Sequence, residues 1–332
     1  MARVLQGVKK MEKTRIGVIG VGYLGKFHAQ KYAAMDDVEL VGVADNSEET
    51  ARQVASATGC RPFADYRRLL EQVEAVSIVV PTSLHHEVAG VCLQAGVDVM
   101  LEKPMTVTVA EADELIDLAA QTGRILQVGH LERFNPAVLA MEEHLTNPLF
   151  IESHRIHVFK NRALDVDVVL DLMIHDIDII LNIVKSPLET IHTVGLPVVT
   201  ETTDIANARL IFANGSTANV TVSRISQDNI RRIRIFQPRS FISVDYGKKE
   251  LTVIRQLAEP DENGLPRQEI SRSCYVEKDA LDLELRDFVA NVRNRTRPRV
   301  AGEEGRRALK VATEIIAQIQ QHAARYQEQL GI

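Results

Sequence analysis

The chain has 332 residues, more than one hydrophobic core ordinarily serves, so two domains are expected. With 45% hydrophobic and 25% charged residues its composition is globular, which excludes disordered, collagen-like and low-complexity chains. Its 39 Lys and Arg against 45 Asp and Glu give a net charge of −6, without the basic field that nucleic acid or an anionic membrane would attract.

The first ten residues are charged, lack the apolar core of a signal peptide and are expected to be without regular structure. Met1 and Met11 both stand open as the translation start, because regular patterning begins only at Arg15. No apolar run approaches the length of a membrane span, and a cytoplasmic protein is expected. Cys60, Cys92 and Cys274 are odd in number and far apart, which fits reduced thiols and neither a disulfide framework nor a zinc site.

From residue 15 to 129, β-branched runs at 15–20, 38–44, 75–80, 97–101 and 125–129 alternate with helical stretches. Being apolar with little alternation, the runs read as parallel strands buried on both faces of a doubly wound α/β domain. Helix signals fill the gaps: Thr108 with Glu111 forms a capping box, Gly96 and Gly123 are helix stops, and Asn135-Pro136 is a cap with proline at the first helical position. After about residue 148 one helix near 168–184 is followed by alternating segments, with Asn214-Gly215 marking a hairpin. This part reads as an α+β domain with an antiparallel sheet covered on one face. The expected division is a dinucleotide-binding domain at 12–131 and a substrate domain at 132–302. The long helix at 303–327, with its stripe of Ala308, Val311, Ile315, Ile316 and Ile319, is expected to return to the first domain.

The strand at 15–20 runs into G-x-G-x-x-G, in which Gly20, Gly22 and Gly25 serve the turn, the approach of a pyrophosphate and helix packing. Asp45 ends the next strand, where its carboxylate would accept from ribose hydroxyls and repel the extra phosphate of NADP, so NAD is favoured. Glu102-Lys103-Pro104 follows the strand at 97–101, and strand carboxyl ends are where such sheets bind ligands. Lys103 there suits donation to a substrate oxygen.

On the helix over 171–184, Asp171, His175 and Asp178 fall within a narrow stripe opposite Met173, Ile177, Ile180, Leu181 and Val184. A carboxylate beside His175 is expected to raise its pKa and fix its ring. Two carboxylates and one histidine leave a zinc or iron site short of partners, so no metal is expected; a buried structural network of the same residues is the competing reading. His154 and His157 on a strand point to opposite faces and cannot share a metal. The runs Arg231, Arg232, Arg234 and Arg293, Arg295, Arg297, Arg299 read as solvated surface, with a substrate diphosphate as the alternative.

Together, GVIGVGYLGKFHA at 17–29, VPTSLHHEVA at 80–89, EKP at 102–104 and D-x-x-x-H-x-x-D from Asp171 to Asp178 resemble the Gfo/Idh/MocA oxidoreductases over nearly the whole chain. The resemblance implies a Rossmann domain followed by a large, open-faced, mostly antiparallel sheet that mediates homodimers or homotetramers. It implies NAD as cofactor, held by Gly20, Gly22, Tyr23, Leu24, Gly25, Asp45, Pro81, Thr82 and Lys103, with His85, Glu102 and His130 lining the nicotinamide end. Lys103, Asp171 and His175 are implied as the catalytic group. Met173 stands where many members carry glycine, and Thr82 where asparagine is common. The segments at 129–137 and 171–181 resemble the branch that oxidises UDP-N-acetylglucosamine at its 3-hydroxyl, ahead of amination to the 3-amino sugars of lipid A or polysaccharide.

The expected reaction is hydride transfer from a sugar carbinol to NAD, with His175 taking the hydroxyl proton, Asp171 orienting the imidazole and Lys103 donating to the same oxygen. Lys103 as the base stays open. A dehydrogenase of inositol or a free sugar, and a non-catalytic NAD-dependent sensor, are the alternative functions. The segment 159–169 is the expected place of the substrate nucleotide.

Overall fold

A computed structural model of the chain describes residues 12–159 and 166–330. The apolar runs of the first part become β1 (Thr14–Ile19), β2 (Val38–Ala44), β4 (Ala75–Ile78), β5 (Asp98–Glu102) and β6 (Leu126–Gly129). Interleaved with them are α1 (Gly25–Ala33), α2 (Glu48–Thr58), α3 (Tyr66–Leu70), α4 (His85–Gln94) and α5 (Val109–Thr122). A further strand, β3 (Arg61–Phe63), carries no sequence signal because it is three residues long and faces solvent at the sheet edge, where Pro62 costs no ladder bond. The strand order β3-β2-β1-β4-β5-β6 reverses direction between β1 and β4, and in such sheets a crevice opens at the carboxyl ends of that pair. The expected caps are present: Thr108 Oγ1 accepts from the Glu111 amide at 3.2 Å while Glu111 accepts from the Thr108 amide at 3.0 Å. Asn135 caps α6 (Pro136–Glu142) through the Ala137 amide.

The second sheet has eight strands: β7 (Phe150–Val158), β8 (Leu188–Leu196), β9 (Ile205–Phe212), β10 (Thr217–Ser226), β11 (Ile230–Gln237), β12 (Ser240–Asp245), β13 (Glu250–Gln256) and β14 (Gln268–Cys274). Their order is β14-β13-β12-β11-β7-β10-β9-β8, with β7 and β10 parallel and the other pairs antiparallel. Strict alternation buries one face, through Ile151, Ala208, Leu210, Val220, Val222, Ile233, Ile235, Ile242 and Val244. The Asn214-Gly215 hairpin joins β9 to β10, with Gly215 at φ +83°.

The chain divides into two compact units, the first comprising 12–102, 114–127 and 285–301, the second 103–113, 128–284 and the residues from Gly302 onward. Lys103 therefore belongs to the second unit, one residue after the strand that presents it. Among the described residues the last helix, α9 (Gly302–Leu330), meets the first expected domain only at its first turn, where Arg306 Nε donates to Asp113 at 2.6 Å and Gly305 abuts Val128. Its stripe of Ala308, Val311, Ile315 and Ile319 is buried in the core of the second unit, and it packs on β8 and on the helix over 174–183. The physical reason is a matched surface: at Gly195 of β8 an added Cβ would lie 2.7 Å from Ile319, so the helix lies flush on the strand. The segment that returns to the first unit is instead the second half of α8 (Ala280–Asn294) and the loop after it. Arginines read as surface pin it there: Arg293 Nη1 reaches Asp37 at 2.7 Å, and Arg295 pairs with the buried Asp98 and donates to the Gly123 carbonyl at 2.7 Å.

Candidate active site

In the first unit a cleft of about 450 Å3 lies at the carboxyl ends of β1, β2 and β4, lined in part by Gly20, Gly22, Asp45, Pro81, Val79 and Tyr66. Three glycines shape it for different reasons. Gly20 sits at φ +83°, and a Cβ there would lie 2.5 Å from the Val79 carbonyl; a Cβ on Gly25 would strike the Gly20 carbonyl at 1.9 Å. At Gly22 a Cβ would meet no protein atom within 4 Å, so the space its absence opens faces the cleft, as the approach of a diphosphate to the backbone requires. Asp45 Oδ2 accepts from the Val21 amide at 2.8 Å and Oδ1 from the Ser47 amide at 2.9 Å, which ties the loop to the end of β2. The Tyr66 hydroxyl is buried without a hydrogen-bond partner in the wall of the same cleft. An orphaned donor, a vacant Cβ cradle and a carboxylate at the strand end together fit a dinucleotide.

Of the other expected cofactor residues, Tyr23 is exposed against the Phe27 ring, and Leu24, Thr82, His85 and Glu102 do not line the cleft itself. His85 Nε2 lies 2.9 Å from the Val80 carbonyl, fixing the turn that carries Pro81 and Thr82. Glu102 is buried 3.3 Å from His28 of α1. Asn46, Ala64, Tyr66 and Leu84 also line the cleft without having been foreseen.

The catalytic candidates assemble within the second unit. The expected helix begins with a π turn over Val169–Met173 and continues as α7 (Ile174–Ile183). Such turns displace one residue from the α-helical ladder and re-aim its neighbours. Here the Asp171 carbonyl accepts from Lys103 Nζ at 3.0 Å, and the Asp171 carboxylate lies 3.6 Å from the same ammonium. The Lys103-Pro104 bond is cis. Asp171 thus holds Lys103 and not, as expected, the ring of His175, whose Nδ1 is buried with no hydrogen-bond partner.

His175 also reverses its expected titration. Burial, followed by the positive charges of Lys103, Arg155, His130 and Arg231, holds its pKa well below 6.5. Burial and these cations favour the neutral ring, and the Asp171 carboxylate that was expected to oppose them faces Lys103 instead.

Asp178 departs from the anticipated stripe: it is buried and lies 3.4 Å from Arg133. Its neighbour Asp176, which the stripe omitted, is fully buried and accepts from Arg155 Nε at 2.7 Å and from Ser153 Oγ at 2.7 Å. Arg155 Nη1 donates onward to Glu132 at 3.2 Å, and Glu132 also pairs with Arg231. Burial alone would raise the Glu132 pKa, but Arg155 and Arg231 outweigh it and hold the carboxyl below its usual value. The arginine run on β11 divides between the two faces of the sheet: Arg231 turns to this network, while Arg232 and Arg234 pair with Asp245 and Glu152 on the other face. Among the described residues no cluster of His, Cys, Asp and Glu could hold a metal ion, and no helix is long and apolar enough to cross a membrane.

Residues 14–130 match the oxidoreductase family with an NAD-binding Rossmann fold, and residues 138–239 match the GFO/IDH/MocA C-terminal domain. The chain belongs to the Gfo/Idh/MocA oxidoreductases. Within this family it is 39% identical to the UDP-N-acetylglucosamine 3-dehydrogenase of Acidithiobacillus ferrooxidans over 91% of this chain and 96% of that one. A solved structure of the Acidithiobacillus enzyme superposes with a TM-score of 0.86 at 38% identity, covering 92% of this chain and 98% of the other. The myo-inositol 2-dehydrogenase of Thermotoga maritima is 28% identical over 89% of this chain and 93% of its own length. The family accounts for the two-domain order, and membership makes the chain an oxidoreductase whose first domain binds NAD(H).

Proposed function

We propose that the chain oxidises the 3-hydroxyl of UDP-N-acetylglucosamine to a ketone, with NAD as the acceptor. The observation that carries the chemistry is a Lys103 ammonium held by Asp171 at the start of the helix that carries the buried His175. The relative of 39% identity supports the choice of substrate. His175 takes the hydroxyl proton; with Nδ1 buried, the proton goes to Nε2. Lys103, flanked by two acceptors on Asp171, is fixed as a donor and stabilises the alkoxide that develops as the O–H bond breaks. Asp171 positions Lys103. When bound, the cofactor supplies the two-electron acceptor for the hydride of the carbinol carbon. A 3-keto sugar nucleotide made this way would serve a following amination toward the 3-amino sugars of lipid A or polysaccharide. Of the segment expected to receive the nucleotide, residues 160–165 lie outside the described part of the chain.

The test is the near-ultraviolet absorbance of reduced nicotinamide on mixing the protein with NAD and UDP-N-acetylglucosamine, with a carbonyl trap to draw the ketone off. Free N-acetylglucosamine and myo-inositol run in parallel. A rise with the UDP sugar alone supports the reading; a rise with inositol or the free sugar alone replaces it; silence with all three overturns it.

NAD in preference to NADP follows from Asp45 at the end of β2, whose carboxylate carries a negative charge where the ribose of a dinucleotide would lie. In Asp45→Ala the KM for NAD is expected to rise about tenfold, one charge-assisted hydrogen bond's worth, and discrimination against NADP to narrow. Initial rates against each cofactor measure both.

We further propose that the open face of the second sheet joins two copies of the chain. Phe150, Phe236 and Phe241 form a row across β7, β11 and β12 with ring centroids 5.6 and 5.0 Å apart, and Ile254 and Ile270 continue it through the register of β13 and β14. Ile270 is 57% exposed in the single chain. A row of this kind on a face otherwise lined by Arg232, Arg234, Glu152 and Asp245 suits a self-complementary contact. Phe241→Lys is expected to weaken association by about 2 kcal/mol or more, a buried aromatic anchor's worth, and to lower the mass seen by light scattering toward 332 residues.

A further inference from the structure

Along β10, Ala218, Val220 and Val222 are buried in the core of the second unit, and the next place in that alternation is taken by a charged residue, Arg224. Between Ser223 and Ser226, β10 has two residues where its partner β7 has one, a bulge of the kind that re-aims a side chain near a functional site. The Arg224 side chain is 11% exposed, and its Nε lies 3.3 Å from Asp204 Oδ1. Asp204 is fully buried and is satisfied without that pair. Its Oδ2 accepts from the amides of Val198, Val199 and Thr200 at 2.8, 2.6 and 2.8 Å, and its Oδ1 accepts from the Thr200 hydroxyl at 2.8 Å. The carboxylate seats Arg224, and the far end of the guanidinium is left for other acceptors.

That end, Nη2, donates to the Val166 carbonyl at 2.7 Å and to the Thr203 carbonyl at 2.8 Å, with Thr202 Oγ1 at 3.2 Å. The Thr203 carbonyl accepts as well from the Val168 amide at 3.4 Å. Asp167 is thereby fastened on both sides, and Asp167 leads into the π turn. Its carboxylate accepts from the Val169 amide at 2.8 Å and its carbonyl from the Asp171 amide at 3.0 Å. From there the Asp171 carbonyl and carboxylate hold Lys103. The links from Arg224 to the ammonium are hydrogen bonds, an ion pair and single peptide units. Val168 and Val169 are fully buried, but apolar burial is non-directional, so the clamp on the two carbonyls is what sets the direction of the turn.

We propose that Arg224, seated by Asp204, is a positioning residue for Lys103: it fixes the entry to the π turn and, with it, the Asp171 acceptors that aim the ammonium. The proposal rests on the reading of Lys103 as the donor to the substrate oxygen. Arg224→Met keeps the bulk of the side chain in the core and removes every donor. A shift of the turn by roughly 1 Å is expected, lowering kcat by about 10- to 100-fold while the KM for the UDP sugar and for NAD change little. Arg224→Lys is expected to restore most of the loss. The carbonyls meet one nitrogen, Nη2, and a lysine ammonium offers three donors from a point about one bond short of it.

A second readout needs no turnover: the rate at which a trace of acetic anhydride labels Lys103, measured by peptide mass spectrometry against the exposed Lys278 of the same molecule. In the parent, Nζ is engaged by Asp171 and the side chain is 19% exposed. Labelling is expected to be about threefold faster or more in Arg224→Met, within one hydrogen bond's worth, and near the parent's in Arg224→Lys. Unmoved labelling in Arg224→Met overturns the proposal whatever the turnover. With a lowered urea midpoint it would leave Arg224 a role in stability alone, and with a raised KM for the UDP sugar it would make Arg224 a substrate contact. Equal losses in the Met and Lys variants overturn the proposal as well. If Arg224→Met does not fold, Asp204→Asn carries the same comparison, since it keeps the shape of the loop and removes the charge that seats Arg224; parental kcat and labelling there overturn the proposal. If Lys103→Met is as active as the parent, the role of Lys103 in the reaction falls, and the labelling still decides whether Arg224 aims it.

Discussion

Replacing Lys103 by Met is expected to lower kcat by about 100- to 10,000-fold while changing the Kd for NAD little, since the side chain donates to an alkoxide that exists only as the reaction proceeds. The ammonium is held by the Asp171 carbonyl at 3.0 Å and faces its carboxylate at 3.6 Å, so its direction is set by the π turn at Val169–Met173. Met fills a similar volume and removes the donor and the charge. It also removes a cation that lowers the His175 pKa, so the imidazole holds its proton to higher pH. The residual activity of Lys103→Met is therefore expected to fall away at higher pH than that of the parent. Lys103→Arg should not rescue: the planar guanidinium would bridge both Asp171 acceptors and turn away from the substrate oxygen. Single-turnover rates with the UDP sugar across pH measure both effects, and near-parental turnover in Lys103→Met would remove Lys103 from the chemistry.

The parallel sheet was legible because its strands are continuous apolar runs and its turns carry glycines that nothing else satisfies: Gly20, Gly96 and Gly123 all have positive φ. The antiparallel character of the second sheet was legible from alternation and the Asn214-Gly215 turn, whereas the parallel pairing of β7 with β10 and the wholly exposed β14 carry no such signal. Two further features were not legible. The docking of α9 depends on the absence of a side chain at Gly195 over 100 residues away, and an apolar stripe does not say which apolar surface it meets. The charge state of His175 depends on where the Asp171 carboxylate points. A helical wheel with 100° per residue puts Asp171 over His175; the π turn re-aims it to Lys103. Asp176 was overlooked because a wheel sorts residues into an apolar and a polar face, while this carboxylate lies on the buried side and is compensated by Arg155 from a strand 21 residues away. Lys103, Asp171 and His175 could be named as candidates from their positions in the sequence, whereas only the structure shows that Asp171 meets Lys103 and leaves His175 Nδ1 without a partner.

His175→Asn is expected to lower kcat by about 100- to 10,000-fold, the contribution of a positioned general base, with NAD affinity little changed because the imidazole acts on the substrate hydroxyl. Its pH dependence separates loss of a base from loss of shape. In the parent, burial and then Lys103, Arg155, His130 and Arg231 hold the imidazole well below 6.5, so the neutral form is present throughout the neutral range and is lost only as pH falls through that depressed value. The parental kcat/KM should stay level on passing below pH 6.5 and then decline; the asparagine variant should lack this decline. Stability moves with the same group. Between the depressed value and 6.5 the unfolded chain binds a proton that the folded chain refuses, so the parent loses stability as pH falls through this window, and His175→Asn should lose less. Urea unfolding at neutral pH and inside the window reads that difference without substrate. Asn keeps a polar group of nearly the same size, so equal pH slopes in the two proteins would show that the fold does not depress the imidazole's pKa.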